Sequence, residues 1–279
     1  MIPLVLLHGA SGTAEVFYRQ MLSLTAKGYR LISVQYPAYS TYERWLHGLD
    51  AFLDELGLEK IHLFGTALGG YLSQCYAFYR PQRVVSLILC NTFASNQYYS
   101  DSNPMVNVFS WTPEFLLKRM LLANFPDGVV DPELANAIDF MVNQLESVSG
   151  EDLSSRLRLN CTAGNYLPLT EKEKAQNPNQ THHVLALDQS KITIIDVLDD
   201  LVIPAKLREE IFEIYPNARK AFLKSGGDFP YLSRADEINL HLEVHLRAFE
   251  RAEEDQPEAP PPDPTQPSPS PSPSRASPP

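Results

Sequence analysis

The first 90 residues contain two alternating patterns of apolar and polar positions: continuous apolar runs, and apolar residues at helical spacing. Continuous apolar runs are typical of strands buried on both faces of a sheet, and they predict four strands, at residues 3–7, 30–34, 60–64 and 84–89. Apolar residues at helical spacing predict three helices between them, at residues 14–27, 42–56 and 69–79. This alternation predicts βαβ units, and therefore a mostly parallel sheet with helices on both faces.

The alternation stops near residue 94. The next hundred residues contain no run typical of a strand, and instead show three helical patterns, at residues 113–122, 132–145 and 151–160. A polar stretch at 171–183 then predicts an exposed loop. Such a helical insertion between strands is typical of a cap that covers the ends of a sheet.

The βα rhythm resumes after residue 190. It predicts strands at 192–195 and 219–223 and helices at 204–214 and 236–251. We therefore predict an α/β core formed by residues 1–93 and 191–252 together, interrupted by the helical cap, residues 94–190.

A proline- and serine-rich tail follows, residues 253–279. The stretch "DQPEAPPPDPTQPSPSPSPSRASPP" has no aromatic or branched aliphatic side chain, so it cannot bury enough surface to offset the entropy of ordering. We predict a disordered, partly polyproline tail. Deleting residues 255–279 is expected to leave the melting temperature unchanged.

Composition and charge restrict the possible functions. The net charge of −11 argues against a nucleic-acid groove and against a basic membrane-binding patch. No apolar stretch reaches the roughly 18 residues of a transmembrane helix, and no secretory signal segment is evident. Three widely spaced cysteines among apolar neighbours, Cys75, Cys90 and Cys161, indicate reduced core thiols. A cytoplasmic location is expected.

Four short motifs occur in an informative order. They are "LLHGASG" at 6–12, "LFGTALGG" at 63–70, "IIDVLDDLVIP" at 194–204 and "YPNARKAFLKSGGDFPYL" at 215–232. They match the oxyanion loop, nucleophile elbow, acid loop and histidine loop of an α/β hydrolase. The sequence therefore predicts an α/β-hydrolase fold with a helical cap insertion.

The catalytic residues of that fold are largely missing. The elbow is Gly65-Thr66-Ala67-Leu68-Gly69, with Ala67 in the place of the serine nucleophile. Asp228 stands where the histidine should follow two glycines, so only Asp200 remains of the triad. Alanine has no nucleophile, and a carboxylate cannot replace the imidazole base. Losing the serine or the histidine typically costs about a millionfold in turnover.

The oxyanion-type loop is retained. It contains His8, Gly9 and Ala10, and the backbone N–H groups of Ala10 and Leu68 are the expected oxyanion donors. Such donors alone supply about 10³-fold over water. His8 is expected to bond to the backbone.

Two hydroxyls are weak candidates for a substitute nucleophile. Thr66 lies beside the elbow apex, but only the apex residue points into the pocket. Ser11 would have to swing inward, and we expect its hydroxyl to cap the following helix.

His241 and His245 share a helix face and could bind a metal, but no third ligand is evident, so packing or solvent contact is favoured. No metal or cofactor is predicted.

Asp200 and Asp228 should approach within several ångströms if the fold is correct. Two carboxylates that close cannot both ionise freely, so the pKa of one should rise. The pair could serve as a general acid and base or as a cation site. Alternatively, Asp228 bonds to backbone within its loop.

Several longer stretches resemble the maspardin family, a cytosolic branch of the α/β-hydrolase superfamily. They are "SGTAEVFYRQ", "KIHLFGTALGGYLSQ", "SLILCNTF", "DPELANAIDFMV", "LSSRLRLNC" and "YPNARKAFLKSGGDFPYL". The resemblance implies that the family keeps a serine where this chain has Ala67, and that it too lacks the final histidine. It also implies that the family has a segment before the first matched strand, which is not found in this sequence, and that the proline tail of this chain has no counterpart in the family.

The same resemblance implies a binding protein found in the cytosol and on endosomal or trans-Golgi membranes. The partners it implies are a receptor cytoplasmic tail and an aldehyde dehydrogenase.

Three hypotheses follow: a non-catalytic adaptor or regulator, an enzyme of unusual hydrolytic or lyase mechanism that uses Asp200 and Asp228, and a small-ligand sensor. A pocket filled by cap side chains would favour the first, an acidic pair in a dry pocket the second, and an open uncharged apolar pocket the third.

Overall fold

The computed structural model describes residues 1–126, 128–162 and 185–254, with side chains through residue 250. Its six strands are β1 (Leu4–Leu7), β2 (Leu31–Val34), β3 (Ile61–Thr66), β4 (Val84–Cys90), β5 (Ile192–Val197) and β6 (Arg219–Leu223). Its helices are α1 (Tyr18–Thr25), α2 (Tyr42–Glu55), α3 (Leu68–Tyr79), α4 (Gln97–Ser102), α5 (Glu114–Leu122), α6 (Pro132–Ser147), α7 (Gly150–Cys161), α8 (Ala205–Ile214), α9 (Pro230–Ser233) and α10 (Ala235–Glu254).

The strands form one sheet in the order β2-β1-β3-β4-β5-β6, and every neighbouring pair is parallel. The central strands β1, β3, β4 and β5 are buried on both faces, as their continuous apolar pattern indicates. The edge strands β2 and β6 are partly exposed. All strands therefore end at one edge of the sheet, where ligands bind in open α/β folds.

Two apolar cores flank the sheet. On one face α2, α3 and α8 pack through residues such as Trp45, Tyr71 and Ile211. On the other face α1 and α10 pack through residues such as Leu24 and Leu242. The predicted layered α/β architecture is confirmed.

Helices α4 to α7 lie between β4 and β5 in the chain. A third, smaller core joins α5, α6 and α7 with the 3₁₀ turn Val106–Trp111, through residues such as Phe109, Leu117 and Leu153. The three helices expected in this segment are present. The short helix α4, "QYYSDS", and the 3₁₀ turn were not predicted, because neither contains enough regularly spaced apolar residues to indicate a helix.

Some predictions concern residues beyond this description. The loop at 171–183, including His182 and His183, and the tail at 255–279 lie outside the described residues. Within the described parts of the chain, no helix has the length and apolar character needed to cross a membrane.

Candidate functional site

The elbow joins β3 to α3 through a single strained residue. Ala67 has φ 46° and ψ −119°, a left-handed conformation that side chains rarely adopt. Its N–H donates to the carbonyl of Asn91 at 2.9 Å, and its own carbonyl accepts from the Thr92 hydroxyl at 2.6 Å. A Cβ on Gly69 would overlap the carbonyl oxygen of Leu7. The backbone has the shape of a nucleophile elbow, with a methyl group at its apex.

The oxyanion-type loop lies against this apex. A Cβ on Gly9 would sit 3.3 Å from the Ala67 methyl, and Ala10 and Leu68 both line the adjoining pocket. Within the described structure, no hydrogen bond occupies the backbone N–H of Ala10 or of Leu68. Two amide donors therefore remain available at the position expected for an oxyanion hole.

His8 lies behind this loop rather than in the pocket. Its Nδ1 bonds to the carbonyl of Gly9 at 2.8 Å, and its ring stacks on Tyr36 with centroids 4.5 Å apart. Burial, assisted by the charge of Arg156, lowers the pKa of His8 to about 3. The ring is neutral at physiological pH and holds the loop in place.

Asp200 is held by its own loop. Its Oδ1 accepts hydrogen bonds from the backbone N–H groups of Val202, at 2.8 Å, and Ile203, at 3.3 Å. Burial raises the pKa of Asp200, which is 94% buried, and these two donors offset part of that rise because they favour the ionised form. The remaining oxygen, Oδ2, is buried and accepts no hydrogen bond from a described N–H group.

Asp228 approaches Asp200 from the loop after β6, where Gly226 and Gly227 both have positive φ. Burial raises the pKa of Asp228 to about 8, and the hydrogen bond and negative charge of Asp200 add to the shift. At neutral pH the two carboxyls therefore share one proton, which resides on Asp228. Neither carboxyl oxygen of Asp228 has a hydrogen-bond partner in good geometry. The backbone N–H groups of Leu201 and Val202 nevertheless lie near enough to offset part of this rise in pKa.

Asn91 connects the two loops that carry these acids. It follows β4 with φ 40°. Its side-chain Nδ2 donates to the backbone carbonyl of Gly227 at 3.0 Å, and its side-chain Oδ1 accepts from the N–H of Val197 at 3.1 Å. Sequence reasoning missed this residue. The available signal was a polar residue directly after a buried strand, in "LILCN".

A cavity of about 510 Å³ opens above the elbow, between the sheet edge and the cap helices. Ala67, Asp200 and Asp228 line its floor. Most of its wall is apolar or aromatic, and includes Phe93, Tyr99, Met120, Phe125, Phe229 and Tyr231. The cap side chains surround this space and leave it open.

Comparison with known proteins identifies this arrangement. A family model described as alpha/beta hydrolase fold matches residues 2–234. Maspardin from Homo sapiens is 44% identical over 249 residues, which cover 88% of this chain and 75% of the relative. Maspardin from Danio rerio is 43% identical over the same shares. The chain belongs to the maspardin family.

Solved structures agree on the fold. A thermophilic esterase from Thermogutta terrifontis superimposes with a TM-score of 0.66 at 19% identity, over 89% of this chain and 90% of that one. An enol-lactonase from Burkholderia xenovorans gives 0.67 at 15% identity, over 88% and 92%. At this identity the likeness concerns the fold alone. The family resemblance and the fold predicted from the sequence are both confirmed.

This maspardin-family chain also uses a buried arginine that sequence reasoning overlooked. Arg156, on α7, donates to the carbonyls of Ala10 at 3.1 Å and Gly12 at 2.7 Å, and lies over the Tyr36 ring. It is 99% buried. The side chain fastens the cap to the oxyanion-type loop. A charged residue on the apolar face of "LSSRLRL" was the only sequence signal.

The substitute nucleophiles line the pocket without a base. Thr66 and Ser11 both reach its wall, but the described wall includes no histidine, since His8 is turned away. The expectation that Ser11 caps the next helix is wrong: Thr13 is the capping residue, and its hydroxyl accepts from the N–H of Glu15. Thr13 directly precedes the 3₁₀ turn Ala14–Phe17, whereas Ser11 lies two residues further from it.

The histidine pair on α10 does not form a metal site. His245 is buried and bonds to the hydroxyls of Thr193 at 2.7 Å and Ser86 at 2.8 Å, while Ser86 also bonds to His62 at 2.6 Å. The described residues contain no group of three metal-ligating side chains. His245 therefore belongs to a polar network under the opposite ends of the strands.

Proposed function

We propose that this maspardin-family protein is non-hydrolytic and acts by binding, as an adaptor or regulator. The observation that carries the proposal is Ala67 at the elbow apex. The backbone presents this residue where a nucleophile attacks, and a methyl group has no electron pair to offer. No imidazole among the described pocket residues compensates, because Asp228 occupies the histidine position.

An adaptor role in the cytosol and on endosomal or trans-Golgi membranes is the finer form of this proposal. It takes support from a set of exposed apolar side chains in one stretch of the cap: Met105 (72% exposed), Val108 (49%), Trp111 (88%), Phe115 (67%) and Met120 (44%). Exposed apolar clusters mark interaction surfaces. The family resemblance suggests a receptor cytoplasmic tail or an aldehyde dehydrogenase as the partner.

The cavity is open, whereas the adaptor hypothesis expected cap side chains to fill it, so a small-ligand role is the second candidate. Its apolar walls suit a small molecule, and ligand pockets of similar size are typically apolar with a few placed polar groups. The carboxyl pair on the cavity floor also supports the alternative of an enzyme with an unusual mechanism. In that mechanism Asp228 would act as the general acid and Asp200 as the general base.

Hydrolysis of a panel of short acyl esters tests the proposal. The parent protein is compared with Asp200→Asn, which removes the negative charge with little change of shape. We expect both to match the no-enzyme rate. Turnover by the parent that is lost in Asp200→Asn would refute the non-hydrolytic proposal and would assign chemistry to the carboxyl pair.

A further inference from the structure

The floor of the cavity carries negative charge without a matching cation. Asp200 and Asp228 both line it, whereas none of its described lining residues is a lysine, arginine or histidine. The nearest guanidinium, of Arg208, is already engaged. It pairs with Asp196 at 3.2 Å and donates to the carbonyls of Val197 and Asp200.

The carboxyl oxygens of this pair are also short of hydrogen-bond donors. Oδ2 of Asp200 and both oxygens of Asp228 are buried and have no hydrogen-bond partner in good geometry; only the N–H groups of Leu201 and Val202 approach Asp228. Buried polar groups normally have hydrogen-bond partners, because an orphaned one destabilises the folded state. The proton that the pair shares satisfies only part of this demand, so the site is suited to a ligand that brings donors.

An inorganic cation does not fit the surroundings. Hard cations such as Ca²⁺ take six to eight oxygen ligands, and the described residues provide no cluster of three acidic or other metal-ligating groups here. The walls are instead apolar, with aromatic rings next to the acids. Phe229 follows Asp228 directly, and Tyr99 is close enough for the charge of Asp200 to raise its pKa. Aromatic faces attract organic cations.

We propose that the cavity binds a small apolar molecule carrying an ammonium group, with the ammonium seated between Asp200 and Asp228 and the apolar body against the aromatic walls. This inference rests on the proposed binding function and specifies the ligand class of the same site. An ammonium group supplies several N–H donors and one positive charge, which are the two things the floor lacks.

Proton release should accompany binding. A cation beside the pair favours the ionised form of Asp228, which holds a proton at pH 7, so up to one proton passes to solvent for each ammonium bound. Other ionisable or charged groups face the pair: Asp196, Arg208, Cys90, Tyr99 and Tyr231. Burial keeps the thiol and both phenols neutral at this pH, so they do not contribute protons.

Isothermal titration calorimetry with three matched probes tests the inference. The probes are 3-phenylpropylamine, the neutral 3-phenylpropanol and the anionic 4-phenylbutyrate, each titrated at pH 7 into the full chain in two buffers of different ionisation enthalpy. We expect the amine to bind at least about tenfold more tightly than the alcohol, as a charge-assisted hydrogen bond would give, and the carboxylate to bind most weakly. The buffer dependence of the amine enthalpy should report release of up to one proton.

Two variants and a control assign the effect. Asp228→Asn should abolish the proton release and reduce amine affinity about tenfold without changing alcohol affinity, and Asp200→Asn should also weaken the amine. The exposed Asp236→Asn on α10 should change nothing. Equal affinity for amine and alcohol, a preference for the carboxylate, binding without proton release, or no binding of any probe would overturn the inference.

The ester panel on the same preparations separates the two proposals. Failure of amine binding with no ester turnover refutes the ligand class and leaves the non-hydrolytic proposal intact. Ester turnover refutes the non-hydrolytic proposal whatever the amine does. Should one asparagine variant fail to fold, the comparison of amine with alcohol in the parent protein still decides the inference.

Discussion

Replacing Ala67 with glycine should stabilise this protein. Ala67 is held at φ 46° and ψ −119°, where a Cβ is strained and glycine is not. Non-glycine residues in such sparsely populated conformations cost about 1–3 kcal/mol. In a hydrolase that cost is justified by the nucleophile at the apex, but here the apex carries only a methyl group.

The expected magnitude is the difference between strain relief and two losses. Glycine has more conformational freedom in the unfolded chain, which costs about 0.5–1 kcal/mol relative to alanine. Removing the half-buried methyl group of Ala67 costs at most about 0.8 kcal/mol. The balance is a stabilisation of about 1 kcal/mol, or a rise of about 2–4 °C in melting temperature for a protein of this size.

Urea denaturation of Ala67→Gly beside Ala77→Gly measures this effect. Ala77 is fully buried in the right-handed interior of α3, where the same substitution removes a methyl group and adds only helix-breaking entropy. We expect Ala77→Gly to lose at least about 1 kcal/mol. If Ala67→Gly loses as much as this control, the elbow stores no strain and the reasoning is wrong.

Two further predictions concern the rest of the molecule. Burial, with the charges of His62 and Arg219 adding to it, lowers the pKa of His245 to about 3. Between pH 6.5 and pH 3 this histidine is therefore protonated in the unfolded chain but not in the folded protein. The free energy of unfolding consequently falls as the pH falls through this range. Chemical denaturation at pH 7 and pH 5 measures how much unfolding free energy each protein loses between the two. In His245→Asn this loss should be about 2 kcal/mol smaller than in the parent protein. The same loss in both proteins would contradict the prediction. On the cap, replacing Trp111 and Phe115 with serine should leave the melting temperature within about 2 °C, because both are exposed. Under the proposed adaptor function, the parent protein should capture purified aldehyde dehydrogenase, the partner that the family resemblance suggests, and this variant should not. The exposed Leu240→Ser on α10 serves as the matched control, and capture retained by the cap variant would count against an adaptor surface there.

The sheet and its flanking helices could be predicted because their pattern is local. Parallel strands buried on both faces appear as short apolar runs, and the length and β-branched residues of "VVSLIL" and "ITII" favour strands over helices. The elbow was equally readable, because Gly65 and Gly69 are required by contacts of the backbone itself. Such signals do not depend on knowing what lies opposite.

The site could be predicted only where the fold fixes it. The positions of Ala67, Asp200 and Asp228 follow from strand ends, so their convergence was expected from topology. Arg156 and Asn91 act through contacts with residues more than 130 positions away, such as Ala10 and Gly227, and no periodicity reveals such partners. Whether cap side chains fill the cavity was also unpredictable, because it depends on how α5 and α7 pack against each other.

The retention of a strained elbow without a nucleophile has a structural explanation. A Cβ on Gly70 would collide with Thr92, and the carbonyl of Ala67 accepts from Thr92, from the N–H of Gly70 and from that of Tyr71. These contacts join the ends of β3 and β4 to the start of α3, and none of them involves the side chain at the apex. The surrounding structure therefore fixes the turn whether the apex is serine or alanine. It follows that an elbow motif establishes the fold, whereas the residue at its apex, together with the groups facing it, must be examined separately to establish the chemistry.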